Sequence, residues 1–590
     1  MHGGAATTPE PRAEAAVIAR GLARMWKCRA PVHAPGASLV ERILAARGLS
    51  DKAIASDFLA PTLNHLHDPA LLPDMDRAAE RVLRALRARQ PLVIYGDYDV
   101  DGITATSILW HTFRLIEPNA PVTTYIPHRI DEGYGLSTDA IQTLADGGAR
   151  VIVSVDCGIT ATAAAQTARD RGIDLIITDH HNPPASNDDL PPAFAVVHPR
   201  RPGSRYPFGE LSGAGVAYKL AWRIGTLACN GGRVTRDLQT LLIDLLALAA
   251  LGTIADVVAL VGENRVLARF GLARIKHSPL VGLRALVEAS GLSGENIESD
   301  DVGFKLAPRL NACGRMGHAR EAVELLTTAG APRATEIARA LCRFNDQRRA
   351  TERRIFLHAA AMVEAQGMHS SDRRAIVLAH EDWHAGVVGI VCSRLVERFG
   401  RPTILMCTTD GECHGSGRSI EGFALADALA ECTALLRSHG GHDMAAGLRL
   451  DAANLGEFTE SFTRVANSRL TPDDLVRPLL VDTDARVDEI TDDAAAQLDR
   501  LAPFGQGNPR VRVRITGATL VDKPAPLGSS GEHASLKLRG TSGPPLRVVA
   551  WNWLSRLNGI ARGQAVEAVV SPKMSSYSGH VEAELHDLRT

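Results

Sequence analysis

Apolar positions along the chain fall into successive regimes. From Arg77 onward, short continuous apolar runs, PLVIY (91–95), VTTYI (122–126), RVIVSV (150–155), DLIIT (174–178) and AFAVV (193–197), are separated by helical stretches. After the first run, Ala105, Ile108, Leu109, Thr112, Phe113 and Ile116 recur on one face at helical spacing. Buried strands alternating with helices predict a parallel α/β sheet. Residues from about 210 to 365 read as helical and include a charged helix over 343–358. A second α/β block follows: RRAIVLAH, a helix over 385–399, RPTILMC, a Gly-rich stretch and a helix over 424–437. From about 475 the pattern changes to alternation. RVRVRITGATLV, HASLKLRG, LRVVAWNWL, AVEAVVSP and GHVEAELHDL, with turns between them, predict a small antiparallel barrel, for which the oligonucleotide-binding type is one candidate.

The predicted fold class is therefore multidomain α/β. An N-terminal cap over 1–75, broken by Pro31, Pro35, Pro61, Pro69 and Pro73, precedes a parallel-sheet domain over 76–262. A helical connector over 263–365, a second α/β domain over 366–470 and the β-barrel over 471–590 complete the expected order.

Composition changes this picture little. The 590 residues suffice for several cores, and the formal charge of −2 argues against a protein that coats long duplexes. A local basic channel remains compatible with that charge, because the field that matters is local. Arginines cluster at Arg200, Arg201 and Arg205 and again at Arg343, Arg348, Arg349, Arg353 and Arg354; on a helix such a cluster is usually a solvated face. Nine cysteines without a CxxC pair suit reduced thiols rather than disulfides or zinc. The most apolar stretch, 241–262, is interrupted by Asp244 and Asp256, and the expectation is a soluble cytoplasmic protein without a membrane span.

Candidate chemistry begins at Gly96-Asp97-Tyr98-Asp99-Val100-Asp101-Gly102, where a buried strand meets a helix. Three carboxylates at alternate positions repel one another unless cations lie between them. A calcium-binding EF-hand would need a preceding helix and a Glu at loop position twelve; that position, counted from Asp97, is Ile108. The third strand ends in Asp156 and the fourth in Asp179-His180-His181. Strands of a parallel sheet open on one edge, so these residues should converge. A lone Asp at a strand end is usually a helix cap, but three strands ending this way make that explanation poor. Mixed carboxylate and imidazole ligation suits Mn²⁺ or Mg²⁺, and paired ions would serve phosphoryl transfer to water.

The Asp179-His180-His181 triplet, with GDYDVDG and SVDCG upstream and LGTIADVV (251–258) downstream, resembles the DHH phosphoesterase superfamily. Further stretches resemble its RecJ nucleases in particular: IPHR (126–129) with EGYGL (132–136), APRLNACGRM (307–316), WHAGVVGI (383–390), GSGRS (415–419), GGHDMAAG (440–447) and PFGQGNP (503–509). The resemblance implies a DHH domain joined by a long helix to a DHHA1 domain, followed by an OB-fold. It implies two ions of Mn²⁺ or Mg²⁺ held by Asp97, Asp99, Asp101, Asp156, His180 and Asp256, with Asp179 and His181 orienting ligands and contacting phosphate. It also implies that Arg129, Arg309, Asn311 and Arg315, with Ser416, Arg418 and His442 in the second lobe, contact DNA. Ala259 departs from the family pattern, standing where proline is usual after the Asp256 motif.

The implied activity is 5′→3′ exonucleolytic hydrolysis of single-stranded DNA with a free 5′ end, in repair and recombination, by a monomer. A single-strand-binding protein and a RecQ-type helicase are the implied partners. Trp551, Trp553 and Tyr577 are candidates for base stacking or for the barrel core. Two alternatives stay open: a DHH phosphatase of oligonucleotides, cyclic dinucleotides or pyrophosphate, and a non-catalytic replication scaffold.

Overall fold

The computed structural model describes residues 16–29, 36–129, 131–229, 234–529, 531–575 and 578–590. Tyr577 thus lies outside the described residues. The chain divides into two compact units, one containing residues 48–345 and 493–511 and the other 12–47, 346–492 and 512–590.

The first unit is built on five parallel strands in the order Val122–Tyr125, Leu92–Gly96, Val151–Val155, Asp174–Thr178, Ala195–Val197. Their continuous apolar character follows from burial on both faces. Leu92, Ile94, Val153 and Ile176 face one core, shared with helices Met75–Arg87, Val100–Ile116, Gly213–Ala228 and Arg236–Ala255. Val93, Tyr95, Ile152 and Ile177 face the other, against helices Thr138–Asp146 and Thr162–Asp170. Each fully buried Val, Leu or Ile contributes about 1.5–3 kcal/mol, so this alternation fixes which strand faces meet which helices. Helix Arg236–Ala255 is long and apolar enough to cross a membrane, yet most of it is buried, packed on helices Val100–Ile116 and Gly262–Ile275.

The charged helix of the sequence is the middle of Ala331–Ala365, a 35-residue helix whose first part belongs to the first unit. In the second unit, five strands lie in the order Ser438–Gly441, Ala445–Asp451, Glu412–Arg418, Thr403–Thr409, Ile376–His380. The helix expected over 424–437 is shorter, Leu425–Ala430, because residues 438–441 join the sheet edge. Strand pairing there overrides local helix propensity.

The C-terminal strands do close into a barrel. Val513–Leu520, Ala565–Met574, Val581–Arg589, Leu546–Ala550 and His533–Arg539 pair in turn, and Thr519 and Leu520 pair back onto Arg539 and Leu538. An N-terminal hairpin, Ala16–Arg20 with Met25–Cys28, extends through Leu479–Val481 into a small sheet of the same unit. Buried Asp587 fastens it, accepting from the Ala23 and Arg24 backbone N–H groups and from Trp26 Nε1–H.

Candidate metal centre

Each acidic residue owes its place to a strand or helix end. Asp97 follows strand Leu92–Gly96, Asp156 follows Val151–Val155, and Asp179 and His180 follow Asp174–Thr178, so parallel register brings all four to one sheet edge. Asp99 caps helix Val100–Ile116, accepting from Asp101 N–H at 2.9 Å and Gly102 N–H at 3.2 Å. Asp256 ends helix Arg236–Ala255. Asp156 takes a left-handed backbone at φ 62°, a conformation that Asp and Asn tolerate better than most residues.

Potential ligand atoms gather in three overlapping groups: Asp97, Asp99 and Asp156; Asp156, His180 and His181; Asp101, His180 and Asp256. His180 Nε2 lies 3.1 Å from Asp156 Oδ1, 3.5 Å from Asp256 Oδ2 and 3.8 Å from Asp101 Oδ2. Two glycines permit this crowding. A Cβ on Gly213 would stand 2.5 Å from Asp156 Oδ1, and one on Gly252 would stand 2.5 Å from Asp101 Oδ1.

Burial and mutual repulsion make the bare cluster costly in its charged form. Burial, then the neighbouring Asp99, pushes Asp97 well above the usual carboxylate range. Burial and Asp101 do the same to Asp156 and push Asp256 up to about 9. Asp101, raised by burial and Asp99, rises to about 7, although Gly213 and Ala214 N–H donate to its two oxygens at 2.6 and 2.8 Å. Burial, then His181, lowers His180 to about 3. These are the shifts expected where cations, rather than protons, are meant to balance the charge.

The donor set fits that role. Among the described residues, Asp97 Oδ1, Asp156 Oδ1 and His180 Nε2 are buried and make no hydrogen bond. Buried polar atoms without partners are rare, and Asp156 shares one donor group with Asp97 and another with His180, so the three mark adjoining cation sites. Asp179 differs, because its oxygens are already engaged by Ile159 N–H and by the N–H groups of His180 and His181, while His181 Nδ1 lies 2.8 Å away. Burial opposes its charge, but the His181 hydrogen bond and charge hold its carboxyl well below the usual range. The same contact raises His181 against the effect of its own burial. Asp179 thus orients His181 rather than offering a vacant oxygen.

Several supporting groups were not foreseen. Tyr134 O–H donates to the Asp156 carbonyl at 3.2 Å and lies 3.1 Å from His181 Nδ1. His198 Nε2 meets the His181 carbonyl at 2.7 Å, and Arg200 donates to the His180 carbonyl at 2.8 Å. Arg201 donates to Asp74, so two arginines of the first cluster serve the fold itself. Their sequence signal was only proximity to the strand ends. Ala259 packs under Gly507, whose own Cβ would approach it to 2.9 Å.

Helix Ala307–Met316 sets Asn311 and Arg315 beside the metal loop. Asn311 Oδ1 accepts from Val100 N–H, and a Cβ on Gly314 would meet the Tyr98 carbonyl at 3.1 Å. Arg129 stacks over Tyr98, 4.7 Å from the ring centroid. Burial and Asp97 push Tyr98 up to about 12 against the opposing charges of Arg129 and Arg315. Arg309 instead donates to the Lys305 carbonyl and to Cys342 Sγ.

In the second unit, Ser416 and Arg418 lie on strand Glu412–Arg418, opposite Gly447 and Ala445, and exposed His442 donates its backbone N–H to Ala445. Ser416 lines a cavity of about 370 Å³ with His414, Gly440 and Arg449. The glycines of GSGRS do not form a backbone nest for phosphate. Residues 415–418 are a central strand paired on both sides, so their N–H groups serve the ladder. Their glycines answer packing: Cβ atoms on Gly415 and Gly417 would strike Met406 and Leu425.

Three domain families match the chain in succession. Residues 91–253 match the DHH family, N-terminal domain, 372–468 the DHHA1 domain and 481–586 the RecJ OB domain. The single-stranded-DNA-specific exonuclease RecJ of Bacillus subtilis is 37% identical over 93% of this chain and 67% of its own length. That of Dickeya dadantii is 37% identical over 80% of this chain and 82% of its own. The crystal structure of Thermus thermophilus RecJ with Mn²⁺ superposes with a TM-score of 0.76 at 31% identity, over 93% of this chain and 75% of that one. The chain belongs to the RecJ family of DHH proteins.

Proposed function

We propose that this protein is a single-strand-specific 5′→3′ exodeoxyribonuclease that hydrolyses phosphodiester bonds with two Mn²⁺ or Mg²⁺ ions and releases 5′-mononucleotides. The observation that carries the reading is the set of overlapping donor groups joined by Asp156, with Asp97 Oδ1, Asp156 Oδ1 and His180 Nε2 buried without hydrogen bonds, in a chain related to single-stranded-DNA-specific exonucleases. Solved relatives bind Mn²⁺ and Mg²⁺.

Asp97, Asp99, Asp101, Asp156, His180 and Asp256 hold the ions, with Asp156 shared by two of the donor groups. The ions supply a nucleophilic water and charge neutralisation at the phosphate. The chain's own groups do the rest. Asp101 stays fixed through the Gly213 and Ala214 N–H groups, and Asp179 keeps a proton on His181 Nδ1. Held between Asp179 and Tyr134, His181 contacts a phosphate oxygen. Arg129, Arg309 and Arg315 fork around backbone phosphates and the 5′ phosphate, with Asn311 holding the helix of Arg309 and Arg315 to the metal loop. Ser416, Arg418 and His442 contact the strand from the DHHA1 domain.

The proposed domain limits are 76–262 for DHH, 263–365 for the connector, 366–470 for DHHA1 and 471–590 for the OB domain, after a cap over 1–75. Family resemblance supports a cytoplasmic monomer working beside a single-strand-binding protein and a RecQ-type helicase.

A time course with Mn²⁺ on 5′- and 3′-labelled single strands and a blunt duplex tests the reading. Immediate release of the 5′-labelled mononucleotide, gradual shortening of 3′-labelled strands and an intact duplex are expected. Turnover of dinucleotides or pyrophosphate without cleavage of long strands would overturn it.

A further inference from the structure

Phe304 is the most exposed of the large apolar side chains among the described residues, at 79%. It sits in a five-residue π-helical turn, Val302–Leu306, that leads directly into helix Ala307–Met316. Val302 and Leu306 are fully buried and anchor the turn, so the outward direction of Phe304 is imposed by the core beneath it. Single π turns of this kind widen a helix and often occur at functional sites. Single exposed apolar side chains are ordinary on protein surfaces, so what distinguishes Phe304 is its place in the π turn at the head of the helix bearing Asn311 and Arg315.

The neighbours on this helix give the ring a context. Phe304, Asn311 and Arg315 are spaced i, i+7 and i+11, which keeps them on one side of the helix, about 10 Å separating Phe304 from Asn311 along the axis. Asn311 is tied to the metal loop, Arg315 bears on Tyr98 in that loop, and Arg309 donates to the carbonyl of Lys305, next to Phe304. An exposed aromatic ring at the head of the helix that carries Arg309 and Arg315, the arginines proposed to bind phosphate, matches the alternation of bases and phosphates in single-stranded nucleic acid.

We propose that Phe304 is a stacking platform for one nucleobase of the single-stranded substrate. The proposal rests on the exonuclease reading above and adds a base contact to it. Stacking needs only a π face, so the contact is indifferent to base identity and sensitive to base absence.

The test is a double-mutant cycle on the full-length enzyme with Mn²⁺. KM and kcat are measured for wild type, Phe304→Ala and Phe304→Trp on 5′-phosphorylated oligonucleotides carrying one abasic residue, walked from the 5′ end. Melting curves check that the exposed substitutions leave the fold intact. Phe304→Ala should raise KM about tenfold on the normal strand with kcat within about twofold, and Phe304→Trp should restore it. Wild type should lose the same factor at one abasic position, and Phe304→Ala should be insensitive to that position alone. Unchanged KM for Phe304→Ala, or equal losses at every abasic position, would overturn the platform while leaving the exonuclease reading standing. A wild-type enzyme that releases no mononucleotide from any strand would instead overturn both.

Discussion

Asn311 Oδ1 accepts a hydrogen bond from the Val100 backbone N–H at 3.2 Å, joining helix Ala307–Met316 to the first turn of the helix that carries Asp101. The bond takes one of the helix's orphan N–H groups and ties the aspartate loop to the helix bearing Arg309 and Arg315. Asn311→Ala removes one hydrogen bond worth about 1 kcal/mol. Its expected effect is an apparent Mn²⁺ affinity roughly fivefold weaker and a lower kcat, with melting almost unchanged. Activity titrated against Mn²⁺ checks it, and an unshifted titration with an undiminished kcat would show the bond to be incidental.

Asp156, a proposed metal ligand, carries an electrostatic cost in the metal-free protein. Burial and three or more nearby carboxylates oppose its charge, while its backbone at φ 62° favours Asn over Ala as a replacement. Asp156→Asn should abolish hydrolysis. With a chelator present, the variant should melt at least as high as wild type, because one repelling carboxylate is gone. Added Mn²⁺ should raise the melting temperature of wild type far more than that of the variant. Thermal scans in chelator and in Mn²⁺ decide the matter, and a variant destabilised in both would make Asp156 structural.

Metal uptake should release protons. Asp101 and Asp256 are pushed up to about 7 and about 9, and Asp97 and Asp156 also lie well above the ordinary range, so the metal-free site retains protons at neutral pH. Ligation requires the carboxylates ionised, hence Mn²⁺ affinity should increase from pH 6 to pH 9. The same groups bind more protons folded than unfolded, so their contribution makes the metal-free protein less stable as pH rises through this window. Calorimetric titration of Mn²⁺ in buffers of different ionisation enthalpy measures the release; a value of zero at pH 7 would contradict the assigned protonation.

Much of this site was legible because a parallel sheet converts separate strand ends into neighbours. Asp97, Asp156 and Asp179 needed only strand assignment to be placed together. The division of labour among them was legible only through the family resemblance, not from the residues themselves. Nothing in the Asp179-His180-His181 triplet says that Asp179 oxygens are consumed by backbone N–H groups while His180 Nε2 is left open. The glycines of GSGRS are ambiguous in sequence, because glycine marks both backbone nests and close strand packing, and here Met406 and Leu425 require the latter. The helix over 424–437 was overextended because edge pairing at 438–441 depends on a strand distant in sequence.

Lys219 and Glu263 form an ion pair with side chains 0% and 1% exposed, far from any solvent that would screen it. Glu263 also accepts from Tyr206 O–H and His67 N–H, while Lys219 donates to the His67 carbonyl, so the pair pins the segment around residue 67 to two core helices. Lys219→Met leaves a buried carboxylate without its cation and should cost about 3 kcal/mol or more. Urea denaturation of the metal-free protein measures this. A loss under about 1 kcal/mol would mean that Tyr206 and His67 alone satisfy the carboxylate.

The barrel's aromatic residues separate clearly. Trp553 is 8% exposed and belongs to the core, whereas Trp551 is 44% exposed, edge-on to His533 at 4.9 Å between ring centroids. Removing residues 475–590 would be a poor probe of DNA binding, because Leu479–Val481 and Asp587 hold the N-terminal hairpin. Trp551→Ala disturbs only the surface. It should weaken binding of strands long enough to reach the barrel by about fivefold to tenfold, and leave hydrolysis of very short oligonucleotides unchanged. Trp553→Ala should instead lower the melting temperature before it alters affinity, since it opens a cavity. Length-dependent KM values for the two variants distinguish these roles, and equal KM for Trp551→Ala and wild type at every length would remove this tryptophan from the strand's path.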